Sequence, residues 1–336
     1  MAVLFCTGFE EFDAGNGSQP QGWSAVFSVD TGSGFQIENG RISGSKAIEC
    51  QTNIETSRHF SLAVGNQGTL VVGMAIYIPS PGAAADRMLV AFREGASLGM
   101  NVRLLSSSNE FQVRLGTTVL ATTSGAAALD AWRYLEFKVV THASAGSYEL
   151  RIGGVNVLSD SGIDTHIGSN AWHDVVRFHS AASLLLIDDV YADDSTFRGD
   201  RKVVTLFPDA AGDDADFAPL SGANYTNVDD AAHDGDSSYV ESATTDDQDL
   251  YGFPAPSDVG EIVAVQHNVI AKKTDVTNFD IKLVAKSGTT ESVDSAQTVD
   301  STSYTAKKRI LAVDPDTSSA WTASGIGAAQ FGQRVG

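Results

Sequence analysis

The carboxylates are the residues of this chain most able to do acid–base chemistry, and their spacing argues against glycoside hydrolysis. A retaining glycosidase holds two carboxyl groups about 5 Å apart, one as acid and one as nucleophile. The chain has no closely spaced Glu-x-Asp-x-x-Glu triplet, and instead carries the adjacent pairs Asp188-Asp189 and Asp193-Asp194. Because neighbouring residues in a strand point to opposite faces, only one member of each pair can face a given cleft. The spacing therefore predicts a protein that is not an enzyme.

Histidine and cysteine spacing gives no sign of a transition-metal or disulfide site. The seven histidines include no i, i+2 or i, i+4 pair of the kind that holds zinc. Two cysteines, Cys6 and Cys50, are too few for a disulfide framework. Cys6 lies in an apolar strand pattern, where a free buried thiol is common. We expect reduced thiols and assembly in a reducing cytoplasm, because Met1–Cys6 is too short for a secretory leader and lacks basic residues.

The strongly acidic composition excludes nucleic acid as a partner. The net charge is −20, whereas phosphate contacts need clusters of Lys and Arg. Hydrophobic residues make up 42% of the chain, which is enough for folded cores. No apolar run approaches the roughly 18 residues that are needed to span a bilayer. We therefore expect a folded protein that binds neither nucleic acid nor membrane.

Short strands are the elements that must position any functional side chain. Trp132–Val140 and Ser147–Ile152 alternate large apolar with polar residues, as half-buried strands do. Gly116-Thr117 is a plausible hairpin turn between two further strand patterns. Such patterns recur about every ten residues with turn residues between them, which is typical of a β-sandwich.

A change in composition divides the chain near residues 195–202. Ser195–Asp200 has the composition of a short linker, and no Lys or Arg occurs between Lys202 and Lys272. Strand patterns continue after this acidic stretch. The sequence therefore predicts an all-β protein with two β-sandwich domains, the first at residues 1–198 and the second, smaller one at residues 199–336.

Residues at both ends of the first domain resemble a known fold. The opening Leu4–Phe12 with Pro20–Trp23, and the closing Ile187–Tyr191, resemble the first and last strands of concanavalin A-like (laminin-G-like) jelly rolls. The segment Trp132–Leu158 is similar to the paired central strands of the same family. The resemblance implies that the first domain is such a jelly roll, with its opening and closing strands side by side.

The order of motifs over most of the chain resembles uncharacterised structural proteins of tailed bacteriophages. The segments in the second half are Gly199–Pro208, Asn224–Asp230, Asp234–Val240 and Asp249–Tyr251. Asn224–Asp230 and Asp234–Val240 are also similar to the opening of galactose-binding-like jelly rolls. This similarity implies a jelly-roll-like second domain. The phage resemblance implies a non-enzymatic virion structural protein, either a tail appendage or a capsid-surface component, that is assembled in the host cytoplasm.

Assembly with other virion proteins and with further copies of the chain is the mechanism that this resemblance implies. Acidic faces of the second domain would repel one another. The contacts of a homo-oligomer are therefore predicted in the less charged strands Thr69–Ile78, Thr118–Thr122 and Ala328–Val335.

The jelly-roll resemblance also implies a structural calcium between the first and last strands. Its candidate ligands are Glu10, Asp188 and Asp189, and Glu11 is an alternative to Glu10. Calcium prefers carboxylate and carbonyl oxygens, which these residues supply. The alternative is that the same carboxylates are exposed or accept hydrogen bonds from loop amides.

Two other functions stay open. A lectin-like adhesin that binds a receptor or a host-surface glycan would need exposed aromatic rings, for which Trp23, Trp172 and Trp321 are the candidates. A divergent glycan hydrolase is the third possibility, against which the carboxylate spacing argues. Glycan binding that is lost on Trp→Ala substitution would support the adhesin, and turnover of a polysaccharide would support the hydrolase.

Overall fold

The chain folds into two compact units, Met1–Val203 and Val204–Gly336, where the sequence predicted domains at residues 1–198 and 199–336. This computed structural model describes residues 2–12, 23–29, 35–50, 59–80, 86–179 and 185–336. Strands dominate both units, which confirms the predicted all-β class.

Two sheets form the first unit. Its elements are β1 (Val3–Thr7), α1 (Trp23–Val26), β2 (Ser28–Val29), β3 (Phe35–Asn39), β4 (Lys46–Cys50), β5 (His59–Gln67), β6 (Thr69–Tyr77), β7 (Arg87–Glu94), β8 (Ser97–Leu104), β9 (Phe111–Leu115), β10 (Thr118–Thr122), β11 (Trp132–Val140), β12 (Gly146–Ile152), β13 (Val155–Ile163), β14 (His173–His179) and β15 (Leu185–Asp193). The first sheet has the order β13-β12-β11-β6-β15-β4-β3, and β1 also pairs with β15. The second sheet has the order β10-β9-β8-β7-β14-β5-β2. One shared apolar core joins the two sheets, so the unit is a β-sandwich.

The opening and closing strands of this unit pair as predicted. β1 runs antiparallel to β15, with Thr7 opposite Val190. The opening strand ends at Thr7 rather than at Phe9, whose φ of 66° begins a turn. One part of the predicted motifs, Pro20–Gly22, lies outside the described residues. The pairing joins the two ends of the sandwich in one sheet.

Phenylalanine rings fill one end of the sandwich core. Phe60 of β5 stacks on Phe178 of β14 with ring centroids 4.8 Å apart, and meets Phe27 and Phe35 edge-on at 4.9 and 5.6 Å. Because side chains alternate along a strand, burial of Phe60 turns its neighbour Ser61 to the outward face of the second sheet. The core thereby fixes which side chains this sheet presents outside.

The second unit is a smaller sandwich. Its elements are β16 (Ala210–Ala215), β17 (Ala218–Pro219), a 3₁₀ helix (Asn224–Asn227), β18 (Val240–Glu241), β19 (Gln248–Gly252), β20 (Val265–Ala271), β21 (Phe279–Ser287), β22 (Thr290–Val293), β23 (Gln297–Val299), β24 (Thr305–Leu311), α2 (Ala323–Ala328) and β25 (Gln330–Val335). The main sheet has the order β16-β19-β25-β21-β22, with β23 also paired to β21. The strand pair β20–β24 contributes Leu311 and Val269 to the apolar clusters on one face of that sheet.

Two of the strands predicted as oligomer contacts lie in the middle of their sheets. β6 is hydrogen-bonded between β11 and β15, and β25 between β19 and β21. A strand that is paired on both sides has no free backbone edge, and most side chains of β6 are buried. These two strands therefore offer no backbone edge to a second copy, whereas β10 does form a sheet edge, and the oligomer contacts stay a prediction. Among the described residues, no helix is long and apolar enough to cross a membrane.

Candidate functional site

The outward face of the second sheet collects arginine and amide side chains. Strands β5, β8, β9 and β14 each bury alternate residues in the core, so the intervening residues point outward. The residues on this side of the sheet, called the arginine face below, are His59, Ser61, Asn101, Arg103, Gln112, Arg114 and Arg177, of which the arginines are partly exposed and the other four are buried. Polar side chains on adjacent strands thus share one surface.

Strand register places these side chains in two rows across the sheet. The first row contains, from strand to strand, Ser61, Arg177, Ala91, Asn101 and Arg114. The second row contains Met88, Arg103 and Gln112. Because neighbouring strands lie about 4.8 Å apart, three strand spacings separate Arg177 from Arg114 by roughly 14 Å. The rows form a polar strip that runs across the strands.

Arg103 and Arg114 bring two positive charges together on this strip. Burial lowers the pKa of Arg103 and the charge of Arg114 lowers it further, while Asp86 acts in the opposite direction. The carboxylate of Asp86 lies 4.0 Å from the guanidinium of Arg114. Neither described row contains an Asp or Glu. Arg103 and Arg114 therefore lie close together in a chain whose net charge is −20.

Neighbouring polar groups on the face orient the guanidinium groups. Arg177 donates from Nε to Oγ of Ser61 at 3.2 Å, and Arg103 donates from Nε to Oδ1 of Asn101 at 3.3 Å. Arg114 likewise donates from Nε to Oε1 of Gln112. Within the described contacts, the bond to Asn101 is the one hydrogen bond of Arg103. Its paired Nη groups, which match the geometry of a carboxylate, are left for an outside acceptor.

A second polar cluster joins the two ends of the first unit. The backbone amide of Lys46 donates to Oε1 of Glu10 at 3.3 Å, and that of Arg41 donates to Oδ2 of Asp188 at 2.9 Å. Burial raises the pKa of Glu10 to about 7 and that of Asp188 to about 6, and the charge of Asp188 contributes to the shift at Glu10. Residue 40 is Gly because a Cβ there would lie 2.6 Å from Oδ2 of Asp188. Glu10 and Asp188 are near enough to interact electrostatically, and a backbone amide donates to each of them.

The third predicted calcium ligand, Asp189, has different partners. Its carboxylate forms an ion pair with Arg41 and accepts a hydrogen bond from the amide of Val203 at 2.6 Å. A register irregularity in β15 and a φ of 49° at Asp189 turn it away from Asp188. Glu11, the alternative to Glu10, accepts a hydrogen bond from the hydroxyl of Thr7 at 2.5 Å. Glu10 and Asp188 are therefore the pair that could hold an ion.

This pair fits calcium only with help from the backbone. Among the described residues, no group of three or more His, Cys, Asp or Glu side chains is placed to hold a metal. Calcium takes six to eight oxygen ligands, so main-chain carbonyls and water would have to complete the shell around Glu10 and Asp188. The positive charge of calcium would lower the pKa of both carboxyl groups and so oppose the effect of burial. The calcium stays a prediction.

Removal of calcium is expected to lower the melting temperature of the protein by several degrees at pH 8. An ion that binds only the folded state stabilises it by mass action. Melting curves with a chelator and with millimolar calcium test this, and Glu10→Gln should abolish the difference. Identical curves for the unsubstituted protein would rule out the ion.

The tryptophans predicted as glycan platforms occupy different environments. Trp321 is 3% exposed, packs on Phe331 at a ring distance of 5.8 Å and donates from Nε1 to the carbonyl of Leu311 at 3.1 Å. Its ring has no face for a sugar, so that candidate is wrong. Trp172 is half-buried just before β14. The backbone of Trp23 begins α1, and its side chain lies outside the described part of the chain. Both stay predictions.

The arginine face was not predicted from the sequence, although a local signal for it exists. Asn101-x-Arg103 and Gln112-x-Arg114 repeat an amide two residues before an arginine on consecutive strand patterns. In strands this spacing puts both side chains on one face. The contribution of Arg177 has no such signal, because the fold brings it from a distant strand.

Known structures resemble this chain in fold at low sequence identity. An endo-β-1,4-glucuronan lyase from the fungus Trichoderma reesei is 11% identical, with a TM-score of 0.41 over 58% of this chain and 96% of that one. An alginate lyase is 12% identical, with a TM-score of 0.45 over 56% and 95%. Domain 4 of an extracellular arabinanase from Geobacillus stearothermophilus, in complex with arabinotriose, is 13% identical, with a TM-score of 0.37 over 56% and 91%. No family model and no curated protein matches the chain.

These structures overturn the predicted function. They are polysaccharide lyases and a domain of a glycan-degrading enzyme, and no virion structural protein is among them. The prediction of a non-enzymatic tail or capsid-surface protein is therefore corrected, and with it the expectation that the chain is not an enzyme. Virion location, virion partners and a homo-oligomer stay predictions. Because the likeness concerns the fold alone, the function has to be argued from the site.

Proposed function

We propose that the first unit binds an acidic polysaccharide on the arginine face. The observation that carries the proposal is the position of Arg103 beside Arg114, where burial and like charge lower the pKa of Arg103. A carboxylate of the ligand would offset both effects, because an opposite charge favours the ionised guanidinium. It would also accept charge-assisted hydrogen bonds from the Nη groups of Arg103.

The rows favour an extended polymer over a small anion. Cations at Arg177 and Arg114 stand roughly 14 Å apart across the strands, which is further than one carboxylate reaches. Between and beside them, Asn101, Gln112 and Ser61 are buried and accept hydrogen bonds from the arginines, which they hold in place. The pattern is complementary to a chain of sugars that carry carboxylates at intervals.

Polygalacturonate and its fully methyl-esterified form make a matched pair of ligands, because esterification removes the charge and keeps the sugar backbone. The protein is expected to bind the acid form and not the ester in affinity electrophoresis or calorimetry. Affinity for the acid form should fall as ionic strength rises from about 0.05 M to about 0.5 M, since salt screens half-exposed charges. Alginate extends the test to a second acidic polymer. Equal affinity for the acid and the ester would refute the proposal.

Eliminative cleavage of the bound polymer is a second candidate function, favoured by the lack of carboxylates in the described rows. Hydrolysis needs two carboxyl groups, whereas elimination needs a base for the C5 proton of a uronate and a cation for its carboxylate. Arg177, on the strand next to that of His59, would supply the cation. His59, which is 6% exposed, would supply the base. His59 takes the C5 proton, the C5–H electron pair forms the C4=C5 double bond, the C4–O bond breaks, and the departing oxygen takes a proton from water.

Elimination would create an unsaturated uronate that absorbs in the ultraviolet. Incubation of the protein with polygalacturonate is expected to raise this absorbance with time, and His59→Ala should slow the rise by roughly a hundredfold or more. Polysaccharide binding by the variant should persist, which separates loss of chemistry from loss of the site. A flat absorbance trace with the unsubstituted protein would exclude cleavage of this substrate and leave the binding function to be judged by its own test.

A further inference from the structure

A cleft of about 490 Å³ lies between the two sheets of the first unit, at the end where β9, β12 and β13 meet. Its apolar wall consists of Ile76, Ile78, Phe111, Ile152 and Val157. These side chains belong to the core or pack against it, so the cleft lies on the opposite side of the second sheet from the arginine face. Its volume is within the range of roughly 300–1,000 Å³ that is usual for small-molecule sites.

Small side chains keep this cleft from being filled by the protein. The remaining wall is the segment Thr123–Ala128, in which Ser, Gly and three Ala residues follow Thr123. Hydrogen bonds hold the segment at several points, among them those from the amide of Ala127 to the carbonyl of Asn109 at 2.6 Å and from the amide of Thr123 to the carbonyl of Phe111 at 2.9 Å. The small side chains of this segment thereby leave the cleft open at the end of the sandwich.

One charged residue, Arg133, lines the cleft. Its side chain is exposed, and Nη1 donates to the carbonyl of the adjacent Trp132 at 3.2 Å. No ion pair joins Arg133 to any carboxylate within the described residues. An unneutralised guanidinium at the rim of an apolar cleft is complementary to a ligand with an apolar body and a carboxylate at one end.

We infer that this cleft binds a small amphipathic carboxylate, with its apolar body between the sheets and its carboxylate on Arg133. Medium-chain fatty acids and aromatic carboxylates share this chemistry. Decanoate represents the fatty acids and 2-naphthoate represents the aromatic carboxylates. The probe that binds more tightly identifies the class of ligand. Decanol is the neutral control, because it keeps the apolar chain and lacks the charge.

Calorimetric titration of the full chain is expected to give saturable binding of one carboxylate per protein. Arg133→Gln should lower the affinity for the carboxylate at least about tenfold. It should change the affinity for decanol by less than about twofold, since only the charged contact is lost. Ala126→Phe, at an exposed position of the wall, should fill the cleft and weaken both ligands. Lys282→Gln, in the second unit, removes the same charge elsewhere and should change neither ligand.

Several results would overturn the inference. They are absence of saturation by both carboxylates, equal loss of decanoate and decanol in Arg133→Gln, and unchanged binding in Ala126→Phe. Melting curves of each variant identify any that have lost the fold, and the exposed Arg133 keeps the test valid if Ala126→Phe unfolds. Because the cleft and the arginine face lie on opposite sides of the second sheet, none of these outcomes bears on polysaccharide binding.

Discussion

Replacing Arg103 and Arg177 together by glutamine is expected to weaken the binding of polygalacturonate at least about a hundredfold. A hydrogen bond to a charged group contributes about 1.5–3 kcal/mol, and about 1.4 kcal/mol corresponds to a tenfold change in Kd. Two such contacts account for the expected loss. Glutamine keeps a side-chain amide donor, so the substitution removes the charge and its paired Nη groups with little change in polarity. Each single variant should lose roughly tenfold.

The matched control for this double variant is Lys282→Gln, which lowers the net positive charge at a position in the second unit. It should bind polygalacturonate as the unsubstituted protein does, whereas a general effect of net charge would weaken it as well. The salt dependence of binding should also become shallower in the double variant, because fewer ionic contacts remain to be screened. Affinity of the double variant close to that of the unsubstituted protein would place the site elsewhere.

The fold could be predicted from the sequence because its determinants are local. Alternation of apolar and polar residues in Trp132–Val140 and Ser147–Ile152 reflects the burial of one side of each strand, and both strands are present as β11 and β12. The pairing of β1 with β15 followed from motifs at the two ends of the unit. Exact strand ends did not follow, since the positive φ of Phe9 is set by the turn.

The arginine face depends on register, which the sequence does not carry. Arg177 joins Asn101 and Arg114 because β14, β7, β8 and β9 are neighbours in the second sheet. Register irregularities between β7 and β8, at Met88/Val90 and Ala91/Arg93, decide which residues are opposite one another. A slip of one residue would turn the arginines into the core. Such irregularities arise from long-range packing, so a search for carboxylate and tryptophan motifs missed this site.

The different partners of the adjacent carboxylates Asp188 and Asp189 could not be predicted from the sequence. Asp188 and Asp189 were equal candidates for calcium, but the ion pair with Arg41 takes Asp189 away. Trp321 looked like a loop aromatic, but packing on Phe331 buries it. In both cases the deciding partner lies far away in sequence, where spacing rules do not reach.

Without calcium, the stability of the protein is expected to fall as the pH rises from about 4 to about 7, because of Glu10 and Asp188. Burial raises the pKa of Asp188 from 3.8 to about 6 and that of Glu10 from 4.5 to about 7. The folded state therefore holds protons in this pH window that the unfolded state has released, and stability decreases wherever the folded state holds more protons. For Asp188, which is fully buried, the difference corresponds to roughly 3 kcal/mol, at about 1.4 kcal/mol per pH unit.

Urea unfolding at pH 4.5 and pH 8 in the presence of a chelator measures this loss directly. Asp188→Asn mimics the protonated carboxyl group at every pH, so the variant should lose much less stability over the same interval and exceed the unsubstituted protein at pH 8. Calcium should restore the stability of the unsubstituted protein at pH 8. It should leave the stability of the variant nearly unchanged, because the ion needs the ionised carboxylate. Asp194→Asn, which alters a carboxylate in the segment after β15, controls for a general effect of charge. A stability that stays constant or rises between pH 4.5 and pH 8 without calcium would show that burial does not hold these two protons.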